Sequence, residues 1–149
     1  MDVKSVFLNE VIEEEVYIEQ PEGFETHEQK THVCRLKKAL YVLKQAPRAW
    51  YGRIDSYLQK MEFVKSDTDP NLYYLRVGDE PLILVLYVDD MFLTRSYKLI
   101  KDCKENLATE FDMKDLGQMH YFLGLEVWQQ KGEIFLGQRR YTTKILKRF

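Results

Sequence analysis

The stretch Leu82-Ile83-Leu84-Val85-Leu86-Tyr87-Val88-Asp89-Asp90-Met91-Phe92-Leu93 sets two adjacent acids between two apolar runs. Runs this short and this rich in branched side chains read as buried strands, so the segment predicts a hairpin with Asp89 and Asp90 at its tip. Such a tip is locally unfavourable. Two-residue turns favour Asn-Gly or Asp-Gly, where glycine accepts the positive φ that a second Asp resists. Neighbouring carboxylates also repel, and desolvating them needs a compensating positive charge. A local rule broken in this way marks a candidate functional position. Magnesium is a natural counter-charge, because it takes hard oxygen ligands, usually one or two carboxylates with substrate phosphates. Two such ions ~3.5–4 Å apart stabilise the attacking and leaving oxygens of a phosphoryl transfer. They need a third carboxylate from a neighbouring strand. A plain exposed turn also accounts for Asp in these positions, and the spacing alone leaves both readings open.

Upstream of this hairpin, Leu72–Val77 is a further apolar run, joined to it by Gly78-Asp79-Glu80-Pro81, which is a second hairpin signal. Pro47 suits the first turn of a helix reaching about Met61, with Trp50, Ile54, Tyr57, Leu58 and Met61 forming one apolar stripe. Downstream, Ser96 is an N-cap candidate for a helix to Phe111 that turns Ile100, Cys103, Leu107 and Phe111 to the core. Gly117 breaks the chain. Residues 121–129 and 133–137 then pair across Lys131-Gly132, and a basic helix follows. Nearer the start, residues 2–8, 16–19 and 32–36 read as short strands around an acidic loop with Pro21 and Gly23. Helices set apart from mostly antiparallel strands predict an α+β sheet with helices on one face.

At 149 residues, with 45% hydrophobic and 31% charged side chains, the chain suits one globular domain. Its longest apolar run, Leu82 to Val88, is far short of the ~20 residues of a membrane helix, so no membrane is expected. Cys34 and Cys103 lie far apart and read as buried, reduced thiols of an intracellular protein. The net charge of -2 hides a division. Residues 1–29 carry Lys4 as their only base against many acids, whereas residues 30–65 and the segment from Arg139 to Arg148 are basic. These basic stretches fit either a phosphate-facing surface or ordinary solvated helix faces. A metal site through His27, His32 and His120 fails for lack of ligand spacing.

Tyr87-Val88-Asp89-Asp90 resembles the Tyr-x-Asp-Asp box of reverse transcriptases. Asp2-Val3-Lys4-Ser5-Val6-Phe7-Leu8-Asn9, Val16-Tyr17-Ile18-Glu19-Gln20-Pro21-Glu22-Gly23-Phe24 and Leu43-Lys44-Gln45-Ala46-Pro47-Arg48-Ala49-Trp50-Tyr51 resemble segments of copia-type retrotransposon reverse transcriptases. Asp69-Pro70-Asn71-Leu72-Tyr73, Met113-Lys114-Asp115-Leu116-Gly117 and Tyr121-Phe122-Leu123-Gly124-Leu125-Glu126 complete the set in the family's order. The box alone is weak, but the ordered set spans the whole chain.

The resemblance implies a right-hand polymerase palm with a ferredoxin-like βαββαβ core over residues 1–149. Part of the fingers falls at about 10–45 and the start of a thumb connection at about 138–149, with fingers and thumb incomplete. It implies Asp2, Asp89 and Asp90 as the catalytic carboxylates holding Mg2+ or Mn2+, and Ser5, Val6, Phe7 and Gln45 beside the incoming nucleotide. Phe7 takes the place of the aromatic sugar gate. Tyr87 and Val88 flank the primer end, and Phe122, Leu123 and Gly124 resemble the hairpin that grips it. From the residues alone, Phe7 and Trp50 read as core, Gln45 as a helix cap, and Phe122 and Leu123 as strand packing.

Implied partners are an RNA template with a DNA primer, deoxynucleoside triphosphates, and the rest of a Pol polyprotein with RNase H and integrase. The implied location is a cytoplasmic virus-like particle or the nucleus. Val6 stands where the family usually has alanine and Glu10 where it has glycine, so added bulk beside the nucleotide is expected at Val6. With Asp2 next to the chain start and no fingers segment before it, the isolated chain is expected to polymerise weakly or not at all. The competing expectation is a non-catalytic RNA-binding or interaction module. It would need exposed aromatics on the sheet, for which Tyr121 and Phe122 are the candidate pair.

Overall fold

The computed structural model of the chain describes residues 1–9, 11–12, 14–25, 32–41, 43–78, 80–94 and 96–149; Glu10, which replaces the family's glycine, the ligand candidate His27 and the hairpin residue Asp79 lie outside them. The chain divides into two units, Met1–Asp115 and Leu116–Phe149. In the first, β1 (Asp2–Val3) leads into a 3-10 turn at Val6–Asn9, followed by β2 (Tyr17–Ile18), β3 (Cys34–Arg35) and α1 (Ala46–Lys60). Then come β4 (Val64–Lys65), β5 (Leu72–Val77), β6 (Glu80–Tyr87), β7 (Asp90–Thr94), α2 (Tyr97–Glu110) and β8 (Met113–Lys114). Six of these strands form one antiparallel sheet in the order β4-β5-β6-β7-β1-β8, while β2 and β3 pair separately.

Periodicity explains how the core forms. Along β6 every second side chain, Leu82, Leu84 and Leu86, is buried, joined by Tyr73 of β5 and Met91 of β7. Onto this face α1 sets Trp50, Ile54 and Leu58 at four-residue spacing, and α2 adds Cys103 and Leu107, with Phe111 just beyond it. Both helices therefore cover one face of the sheet, as expected. Each fully buried leucine contributes about 1.5–3 kcal/mol. Phe111 meets Trp50 and Tyr57 edge-on, at centroid distances of 5.4 and 5.2 Å.

Polar bonds tie α1 to the strands and to the loop before β5. The Tyr73 hydroxyl donates to Asp55 Oδ1 at 2.6 Å, Lys65 Nζ pairs with the same oxygen at 3.1 Å, and the Tyr51 hydroxyl donates to the Pro70 carbonyl. Burial pushes the Tyr73 hydroxyl's pKa far up, and the bond it donates to the Asp55 carboxylate adds to this. Helix α1 ends in a Schellman arrangement: Phe63 N–H bonds the Leu58 carbonyl and Glu62 N–H the Gln59 carbonyl, with Glu62 at φ +66° where glycine is usual.

The structure corrects several boundaries. The strand expected over residues 2–8 stops at Val3, because Ser5 at φ +49° turns the chain into the 3-10 segment. Strand β6 begins at Glu80 and takes in Pro81, which lies where pairing with β7, starting at Ile83, has not begun. Ser96 occupies the N-cap of α2 but makes no side-chain cap bond. Cys103 is buried and Cys34 only half-buried, both as free thiols.

The second unit holds β9 (Tyr121–Phe122), β10 (Leu125–Gln130), β11 (Glu133–Gly137) and α3 (Arg139–Leu146). These strands form a sheet in the order β11-β10-β9. The single strand expected over residues 121–129 is split by a turn at Leu123-Gly124, both with positive φ (47° and 83°), the sign pattern of a type I′ hairpin. Glu126 is buried in this unit. It accepts the Arg140 backbone N–H at 3.1 Å and pairs with the Arg140 guanidinium at 3.3 Å. It thus supplies the N-terminal acceptor that Gln138, the N-cap of α3, does not.

Candidate active site

The hairpin of β6 and β7 closes with Tyr87 opposite Asp90, so its two-residue turn is Val88-Asp89. The expected Asp-Asp tip is therefore displaced by one residue: Asp89 stands in the turn and Asp90 opens β7. The backbone strain also falls elsewhere than expected. Val88 takes φ +54° and neither acid has positive φ, the sign pattern of a type II′ turn, where glycine is favoured at the first position. A β-branched residue in that region is an outlier costing of order 1–3 kcal/mol.

Strand β1 lies beside this turn with Asp2 opposite Asp90. The Val3 amide donates to the Asp89 carbonyl at 2.9 Å, and the Met91 amide to the Met1 carbonyl at 2.8 Å. Bonds flanking a pair in this way define the narrow, non-hydrogen-bonded type, with Cα atoms about 4.5 Å apart and side chains on one face. On its other side Asp2 is the Cα partner of Lys114 in β8. All three carboxylates are half-buried. Burial raises the Asp90 pKa above the ordinary aspartate value, and the charges of Asp89 and Asp2 raise it further. The Met1 ammonium, which donates to the Met91 carbonyl at 2.8 Å, opposes that shift.

Three carboxylates on adjoining backbone positions are a hard-oxygen donor set suited to Mg2+ or Mn2+ rather than to zinc, which favours nitrogen and sulfur. Their side chains do not converge, however. Among the described residues no group of three or more His, Cys, Asp or Glu is placed to hold a metal ion. Donor type and backbone register are what fit a divalent ion here.

The other expected positions are distributed as follows. Val6 is fully buried, and its side chain packs in the apolar core. Phe7 is buried in the core and meets Tyr41 edge-on at 4.6 Å. Gln45 is the N-cap of α1 but makes no side-chain cap bond, and it remains exposed. Tyr87 and Val88 are about half exposed, next to the acids. Phe122, Leu123 and Gly124 belong to the second unit, at the turn between β9 and β10, with Leu123 exposed. The exposed aromatics of that unit are not confined to Tyr121: Trp128 and Phe135 are cross-strand partners on β10 and β11, each about half exposed.

One contact escaped the sequence. The Trp50 indole N–H donates to the Val88 carbonyl at 2.7 Å. Treating Trp50 as plain core overlooked that a buried indole N–H needs an acceptor, which was the available signal.

A family model described as "Reverse transcriptase (RNA-dependent DNA polymerase)" matches residues 1–149. The chain is 43% identical to the Retrovirus-related Pol polyprotein from transposon TNT 1-94 of Nicotiana tabacum, over 100% of this chain and 12% of that protein. It is 40% identical to the Pol polyprotein from transposon RE2 of Arabidopsis thaliana, over 99% of this chain and 10% of that one. To the Transposon Ty1-BR Gag-Pol polyprotein of Saccharomyces cerevisiae it is 33% identical, over 89% and 8%. The chain thus spans about a tenth of the length of these relatives. No solved structure matches it.

Proposed function

The chain belongs to the reverse transcriptase family, as a copia-type transposon Pol segment, and from that premise we propose that it carries the palm of an RNA-templated DNA polymerase. The order β1-α1-β6-β7-α2-β8, with sheet neighbours β6-β7-β1-β8 and both helices on one face, supports a ferredoxin-like palm. On this reading residues of about 10–45 belong to the fingers and about 138–149 lead to the thumb. The partners are an RNA template, a DNA primer, deoxynucleoside triphosphates and the remainder of a Pol polyprotein.

In the reaction the primer 3′-hydroxyl gives up its proton to solvent water as its oxygen forms a bond to the α-phosphorus of the triphosphate. The bond from that phosphorus to the β-phosphate oxygen breaks, and pyrophosphate leaves. Asp2, Asp89 and Asp90 are the residues that would hold the divalent ions. A bound Mg2+ or Mn2+ pair supplies charge neutralisation on the triphosphate and makes the primer hydroxyl more acidic. The amides at Ser5 and Val6 take the triphosphate, Phe7 excludes the ribose 2′-hydroxyl, and Gln45 lies beside the nucleotide. Tyr87 and Val88 flank the primer end, and Phe122, Leu123 and Gly124 grip the primer.

The observation that carries this reading is the pairing of Asp2 with Asp90, one residue from Asp89. Mn2+ binding to the intact chain, followed by electron paramagnetic resonance, tests it. Retention of Mn2+ by the wild type and its loss in Asp89→Asn Asp90→Asn is expected, with weaker binding in Asp2→Asn. Equal binding by the wild type and the double variant overturns the reading. A second reading, a non-catalytic RNA-binding module, is favoured by the exposed Trp128–Phe135 pair, since aromatics on a sheet stack bases. It requires metal-independent binding of single-stranded RNA that Trp128→Ala abolishes.

A further inference from the structure

We propose that Trp50 is a positioning residue for the carboxylates: its indole N–H, bonded to the Val88 carbonyl at 2.7 Å, holds the strained turn that presents Asp89 and Asp90 to Asp2. This role rests on the two-metal reading of the same site and gives it a mechanical support.

A valine at φ +54° in a two-residue turn is not a conformation the turn selects by itself. Something in the surrounding structure must over-determine it. The Val88 carbonyl lies between the strained residue and the first acid, so fixing that carbonyl fixes the peptide plane leading into Asp89. The donor that fixes it sits on a rigid part of the molecule. Trp50 is 2% exposed and packed edge-on against Phe111. Tyr51 ties α1 to the loop before β5, and Asp55 ties it to β4 and β5 through Lys65 and Tyr73. The helix is tied to α2 by Arg53 to Glu110 at 3.0 Å and by Tyr57 to the Asn106 carbonyl at 2.9 Å. Helix α1 is thus a strut braced at several points, and its indole reaches the turn from the buried face of the sheet.

Groups that orient a metal's ligands without touching the metal typically account for 10- to 100-fold in affinity, and a loss of about that size follows if the indole bond is removed. Trp50→Phe removes the N–H but also leaves a void in the core. The decisive variant therefore places benzothienylalanine at position 50, which keeps the shape of the bicycle and replaces the N–H with sulfur. Both are compared with the wild type and Asp89→Asn Asp90→Asn, as the full 149-residue chain. In the benzothienylalanine chain, the Val3 and Met91 amides should exchange with solvent about tenfold faster or more, while the remote Ser66 amide, bonded to the Leu72 carbonyl at 2.8 Å, keeps its rate. Mn2+ affinity by electron paramagnetic resonance should fall about 10- to 100-fold.

Unchanged exchange at Val3 and Met91 overturns the clamp. Faster exchange with undiminished Mn2+ affinity overturns the positioning role, while the two-metal reading stands. Mn2+ binding that is absent from the wild type, or indifferent to Asp89 and Asp90, overturns that reading and this role together.

Discussion

Asp2 and Asp90 face each other across β1 and β7 as a narrow pair, flanked by main-chain bonds from Val3 to Asp89 and from Met91 to Met1. Two carboxylates in that relation repel unless a cation lies between them, and the sheet therefore spends stability to keep them there.

Replacing Asp90 with asparagine should accordingly stabilise the fold at neutral pH by about 0.2–1 kcal/mol, the usual scale for a cross-strand pair. The pKa of Asp90 is raised in the folded state, first by burial and then by Asp89 and Asp2. Its contribution to stability is therefore present below the ordinary aspartate pKa and lost as pH rises through the raised value. Urea denaturation of wild type and Asp90→Asn at neutral and acidic pH should show the advantage of the variant vanishing on acidification.

Glycine is favoured at the first position of the turn that holds Val88. Val88→Gly should raise stability by up to about 1 kcal/mol, as backbone relief is partly offset by added freedom in the unfolded chain. Glu62→Gly, at φ +66° behind α1 and away from the acids, should gain a similar amount. Thermal denaturation of both variants checks this, and a loss at position 88 would show that the valine side chain outweighs the strain.

Tyr73→Phe deletes a hydroxyl donated to the Asp55 carboxylate in a buried setting. A bond to a charged group is worth about 1.5–3 kcal/mol, and a loss of that order is expected in equilibrium unfolding.

Glu126→Ala removes the carboxylate at the N-terminus of α3 and should fray that helix, at a cost of about 0.5–2 kcal/mol. Hydrogen exchange across residues 139–146 reports it directly.

Primer extension by the 149-residue chain should stay near background with Mg2+ or Mn2+. The three carboxylates share a backbone edge without converging, and ~1 Å of misplacement can cost on the order of a hundredfold in rate. Robust extension that disappears in Asp89→Asn Asp90→Asn would overturn this expectation.

The hairpin, the two helices and their buried stripes were legible from Leu82–Leu93, Trp50–Met61 and Ile100–Phe111, because period-two and period-four patterns report burial directly. The pairing of Asp2 with Asp90 was not, since no local pattern links residues that far apart; only the resemblance named them together. Turn chemistry misled in two places. Val88 and Leu123 take positive φ although neither residue type announces it, so the Asp-Asp tip and the unbroken strand over residues 121–129 were both misdrawn. Trp50 reads as core from the sequence, and Glu126 stands there only as the end of a motif. Their polar atoms serve distant backbone groups, which no spacing rule locates.

Strand β1 is only two residues long and is held between β7 and β8. Because successive side chains in a strand point to opposite faces, a slip of one position would set Val3 opposite Asp90 and send the Asp2 carboxylate to the far side. Val3 is itself a buried member of the apolar core, so the slip would also expose that side chain and drive a carboxylate under the helices. Chemistry and folding are thereby locked to one register, and a single-codon insertion or deletion near Val3 should cost a gene copy the stability of its product together with its carboxylate pair.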